Sequence, residues 1–133
     1  MTEGQTEQIE QTEQTEAIDP ATFAGLLEMT GGDLSFVDEL VDTYIDDGDR
    51  QVEALRDAAA RGSSEDLVRP AHSLKSSSSN VGALALGELA RDLEEAARSG
   101  SVPDADARVE TIAVAFADAR EALLDERERR TQG

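Results

Sequence analysis

Apolar residues recur three and four positions apart in one segment after another of this sequence, and no stretch of useful length alternates with period two. That pattern admits amphipathic helices and argues against a sheet. Asp19-Pro20 pairs a capping residue with a proline suited to a first turn, so a short helix is expected to start there, carry Phe23, Leu26, Leu27 and Met29, and stop at Gly31-Gly32. Asp33 can cap a long helix running toward Arg61, with Leu34, Val37, Leu40, Val41, Tyr44, Ile45, Val52 and Leu55 on one side, and Gly48 is expected to interrupt or bend it. Ser63 with an acid three places on marks another start. Pro70 inside that helix predicts a kink or an irregular turn between Asp66 and Arg69, and Gly82 ends the helix after Val81. A further helix is predicted from Ala83 to Ser99 and a last one from Asp104 to about Glu126. Four long amphipathic helices joined by short glycine-containing loops predict an all-α fold, an antiparallel four-helix bundle with a short extra N-terminal helix. Residues 1–17 repeat Thr-Glu-Gln, with five Glu and no basic residue, and are expected to form a disordered acidic tail. The domain then spans residues 18–127, followed by a disordered C-terminus at 128–133.

A chain of 133 residues suffices for one domain, and its apolar residues are mainly aliphatic, with Phe23, Phe36, Phe116 and Tyr44 as the aromatics. Thirty acidic against twelve basic residues give a net charge of −18, which repels nucleic acid and anionic lipid. Neither is expected as a partner. No apolar run approaches the ~20 residues of a membrane span, and the N-terminus lacks the basic start and apolar stretch of a signal peptide, so a cytoplasmic protein is expected. With no cysteine there is no disulfide, no thiol chemistry and no Cys-ligated metal. His72 is the one histidine. Eleven of the twelve basic residues are Arg, and the single Lys, Lys75, stands three positions after it. The acid-rich, Lys-poor balance fits a salt-rich cytoplasm, and a high-GC genome would explain the Arg bias equally well.

Placing Leu67 at zero and advancing about 100° per residue puts Leu67, Ala71, Leu74, Ser78 and Val81 within about 40° of zero, as a buried stripe. On the same wheel Lys75 falls near 80°, Ser79 near 120°, His72 near 140° and Ser76 near 180°. His72 is therefore predicted to face solvent among small hydroxyl residues, with a cation one turn away. A lone surface histidine usually has no role, but here the helix leaves its surround clear. A metal site lacks a second His or Cys ligand, and a serine hydrolase lacks the strand-to-helix elbow and oxyanion loop. An exposed imidazole beside an ammonium is instead suited to accept and pass on a phosphoryl group.

The run from Ala71 through His72, Leu74, Lys75 and Ser76 to Gly82-Ala83, followed by Leu89-Ala90-Arg91-Asp92-Leu93-Glu94 and Arg98, closely resembles histidine-containing phosphotransfer (HPt) domains of multistep two-component signalling. The resemblance extends from about Ile18 to Leu124 and includes Gly31-Gly32-Asp33 and Phe36-Val37-Asp38-Glu39-Leu40. It implies that His72 carries the phosphoryl group, that Lys75 assists it, and that Ser76, at a position where many members have Gly, lets a partner approach. Ser79 and Arg98 fall where partner contacts are expected, although Arg98 reads equally as a solvated helix-end charge. The implied partners are response-regulator receiver domains or a hybrid histidine kinase. No acidic cluster accompanies His72 in the sequence, so no cofactor is expected on this chain, and Mg²⁺ is expected on the receiver. The implied role is a monomeric phosphoryl carrier and not an enzyme, since there is no room or motif for an ATP-binding domain. A phosphoacceptor served in trans by a chemotaxis-type kinase, or a non-enzymatic helical adaptor, are the alternatives.

Overall fold

Each of the first three helices begins where its cap places it. The computed structural model describes residues 17–132, with side chains to Arg129, and of the expected tail at 1–17 all but Ala17 lies outside the described residues. Asp19 accepts from the Thr22 amide at 2.9 Å and the Thr22 hydroxyl at 2.7 Å, and starts α1 (Pro20–Met29). Asp33 accepts from the Phe36 amide at 3.3 Å and starts α2 (Leu34–Ala60). Ser63 accepts from the Asp66 amide at 3.2 Å and starts α3 (Ser64–Val81). Such caps contribute about 1 kcal/mol each. The chain continues through α4 (Leu84–Arg98) and α5 (Ala105–Gln132), and the described residues contain no strand.

The four long helices form a closed ring. Helix α2 packs on α3, α3 on α4, α4 on α5 and α5 back on α2, with the most extensive contact between α3 and α4. Leu55, Leu67, Leu74, Leu86, Leu93, Ile112 and Leu123 are fully buried between them. Each such side chain contributes roughly 1.5–3 kcal/mol relative to exposure. The predicted stripe of Leu67, Ala71, Leu74, Ser78 and Val81 is buried throughout.

Helix α1 crosses one end of the ring, touching α2 and α3. It is held by the turn between α3 and α4, where the Asp19 amide donates to the Gly82 carbonyl at 2.7 Å. Gly82 sits at φ +91°, and a Cβ there would also press on the Asp19 carbonyl at 3.1 Å. A side chain at 82 is excluded on both counts.

Three expectations need correction. Helix α2 runs through Gly48 without interruption, because Gly48 is a packing position: the Phe116 ring of α5 occupies the space a Cβ would fill. That ring also leans on Tyr44, at 5.8 Å between centroids and 54° between planes. Helix α3 contains Pro70 in its interior, as expected, and the residue is buried. The carbonyl deprived of its donor is that of Asp66, an exposed residue in the first turn, where water can serve it. Helix α5 runs on to Gln132 in place of a disordered end from 128. Arg127 donates to Asp42 of α2 at 2.7 Å, and Arg129 to Glu126 at 2.6 Å, so polar ties carry the helix past its apolar stripe. Ala17 is half-buried against the core and belongs with the domain.

Candidate phosphotransfer site

Helices α3 and α4 lie close together at Gly87. A Cβ on Gly87 would lie 2.9 Å from the Ser79 hydroxyl oxygen and 3.5 Å from the Lys75 carbonyl, so the absence of a side chain there lets α4 settle onto α3. The helices run antiparallel. Seven residues back from Ser79 is His72, and seven residues on from Gly87 is Glu94.

His72 and Glu94 meet accordingly. His72 Nδ1 lies 3.0 Å from Glu94 Oε2, while the imidazole side chain keeps 54% of its surface exposed and that of Glu94 only 6%. Lys75 Nζ lies 3.2 Å from Glu94 Oε1. Arg98, one turn along α4, donates to Oε2 through Nη2 at 2.7 Å and Nε at 3.0 Å. A single buried carboxylate thus gathers the chain's one histidine, its one lysine and an arginine. Burial pushes the Glu94 carboxyl up, but the bonds from Arg98, Lys75 and His72 and the charge of Lys75 outweigh it and hold the group down at about 2.

An ionised carboxylate accepts and does not donate, so Nδ1 must carry the proton in this contact. The Nε2 lone pair is left as the ring's nucleophile. With Lys75 and Arg98 balanced against Glu94, the site carries one net positive charge in a strongly acidic chain, and that favours an incoming dianion.

Ser76 and Ser79 are exposed on the same flank of α3, and Ser79 also forms the seam with Gly87. Arg98 is not a freely solvated helix end, because its guanidinium is committed to Glu94. The surround of His72 is not free of carboxylate, as the sequence had implied, since Glu94 reaches it from the neighbouring helix. In sequence Glu94 reads as one of several charges in Arg91-Asp92-Leu93-Glu94-Glu95, and its role depends on the register between two helices. The available signal was the matched spacing of His72 and Ser79 with Gly87 and Glu94. Among the described residues no cluster of three or more His, Asp or Glu is placed to hold a metal ion.

The protein-family model described as Hpt domain matches residues 39–128. The chain belongs to the Hpt domain family. The Hpt bundle is similar in structure to histidine-containing phosphotransfer protein B from Pseudomonas aeruginosa PAO1, with a TM-score of 0.78 and 32% identity over 86% of this chain and 97% of that one. No curated protein matches the sequence. As an Hpt protein, the chain is a histidine phosphotransfer protein of a two-component phosphorelay. None of the described helices of this Hpt protein is long and apolar enough to cross a membrane.

Proposed function

We propose that His72 is the phosphoacceptor and that it relays a phosphoryl group between aspartates of receiver domains. The observation that carries this reading is the pairing of a half-exposed imidazole with a buried carboxylate on Nδ1, which leaves Nε2 facing outward as the nucleophile. The Nε2 lone pair attacks the phosphorus of an aspartyl phosphate. An N–P bond forms, the P–O bond breaks, and its electron pair leaves on the aspartate carboxylate. The ring keeps its Nδ1 proton throughout, so the step needs no separate base. The reverse attack by a second aspartate returns the electron pair to Nε2.

Lys75 balances the arriving charge, and Ser76 and Ser79 keep the approach low. Arg98 acts from the edge of the site through Glu94. The chain serves as a monomeric cytoplasmic carrier without a cofactor of its own, and Mg²⁺ is supplied by the receiver. The test is incubation of wild type and His72→Gln with a radiolabelled phospho-receiver. Label should reach the wild type and not the variant, while helical content stays unchanged. Label on the variant would sink the assignment.

A further inference from the structure

Glu94 distributes its bonds unevenly. Oε1 takes Lys75 alone, whereas Oε2 takes His72 Nδ1, Arg98 Nη2 and Arg98 Nε. His72 and Arg98 therefore compete for one oxygen. The charge that Arg98 draws from Oε2 is charge withheld from the Nδ1–H bond. The Arg98 side chain is 59% exposed, so its hold on Oε2 is open to the surroundings in a way the buried carboxylate is not.

The competition has a chemical consequence, which rests on the reading of His72 as phosphoacceptor. When the N–P bond breaks, the pair returns to Nε2. If Nδ1 holds its proton the departing ring is a neutral imidazole, and if not it is an imidazolate, a far poorer leaving group. A carboxylate bound to Nδ1–H favours the first case. We propose that Arg98 is a positioning residue that restrains Glu94, so that its grip on Oε2 sets how readily the phosphoryl group leaves His72. An anionic group on a docked partner that draws Arg98 away would release the full carboxylate charge onto the ring. The stored group is then held longest by the free protein and is most labile in the complex.

The groups facing Glu94 are His72 and Lys75 from α3 and Arg98 from α4. Arg98→Ala and Glu94→Gln should therefore act in opposite directions. The full chain is loaded with phosphoramidate, excess donor is removed, and the half-life of phosphohistidine toward water is followed by ³¹P NMR near neutral pH. Water attacks phosphorus, the N–P bond breaks and inorganic phosphate leaves. Reducing a charge-assisted bond to a neutral one is worth roughly a factor of ten. Glu94→Gln should lengthen the half-life by about that factor, Arg98→Ala should shorten it by about threefold or more, and the double variant should match Glu94→Gln. The Nδ1–H proton resonance of unphosphorylated His72 should move downfield in Arg98→Ala and upfield in Glu94→Gln, which tests the competition without phosphorylation. An unchanged or longer half-life in Arg98→Ala overturns the proposal. So does a double variant shorter-lived than Glu94→Gln, which would mean that Arg98 touches the phosphoryl group itself. Failure of the wild type to take label would overturn the reading of His72 and this inference with it, whereas labelled variants with equal lifetimes would overturn only the role of Arg98.

Discussion

Gly87 of α4 faces Ser79 of α3 so closely that a Cβ would stand 2.9 Å from the serine oxygen and would have to displace it. Both ends of the seam follow from that contact, because seven residues further along each helix His72 meets Glu94. Gly87→Ala asks only a serine hydroxyl to rotate and gains helix propensity, so stability should change by less than about 1 kcal/mol. Gly87→Val crowds the Lys75 carbonyl as well, and should cost roughly 1–3 kcal/mol. Thermal unfolding measures both. The valine variant should also slow transfer, since the same displacement parts Glu94 from His72.

Ser76 separates docking from chemistry. It is exposed, one turn beyond His72 and outside the Glu94 network. Ser76→Gln should fold as well as wild type, and phosphoramidate should still label His72. Transfer from a receiver domain should fall sharply, because the aspartyl phosphate must come within about 3 Å of Nε2 and a long side chain stands in its path. Equal loss with both donors would place the damage at the imidazole, and no loss with either would mean that receivers dock from another side.

Acid should expose the contribution of Glu94. Its carboxyl is held at about 2 against an ordinary 4.5, so the folded state binds this proton less readily than the unfolded one. Its stabilisation is therefore complete above about pH 4.5 and disappears as pH falls toward 2. The ceiling is on the order of 3 kcal/mol, and screening of the exposed His72 and Arg98 lowers it. Wild type should be more stable than Glu94→Gln at pH 7 by urea unfolding, and the two curves should converge through that window. Parallel curves would show that the carboxylate charge contributes nothing.

The opposite sign applies to Tyr44. Burial pushes its phenol up to about 12, in spite of the bond to Ser78 Oγ at 2.8 Å. Stability from keeping the phenol neutral is full below pH 10 and lost as pH rises toward 12. Tyr44→Phe should remove that alkaline component relative to wild type. At neutral pH it should cost about 1–3 kcal/mol by leaving a buried serine hydroxyl without its partner, and adding Ser78→Ala should recover most of the loss.

Local rules made much of this molecule legible in the sequence. Asp19, Asp33 and Ser63 cap because their side chains bond amides three residues away, and the helical wheel of α3 separates His72 from Leu67, Ala71 and Leu74 for an equally local reason. Gly48 was misread because a glycine within a helix looks like an interruption until the ring of Phe116, distant in sequence, is known to fill its place. Glu94 was missed for the same kind of reason. Within its own helix Glu94 differs from Glu95, which is exposed, only by lying at the edge of the face of Leu86, Ala90 and Ala97, and its value comes from the neighbour that the Gly87 seam brings opposite.

That seam also bears on direction. His72, Lys75, Glu94 and Arg98 all ride on two helices locked by Gly87, the fully buried Leu74 and Leu93, and the Tyr44–Ser78 bond behind them. A contact mounted so firmly presents one face to whatever meets it, and apart from the exposed Arg98 side chain no part of it must be reset between taking a charge and giving it up. Such a terminal conducts equally well either way. The sense of the current belongs to the circuit, fixed by the relative free energies of the two aspartyl phosphates on either side, and reversing it would require no change in this chain.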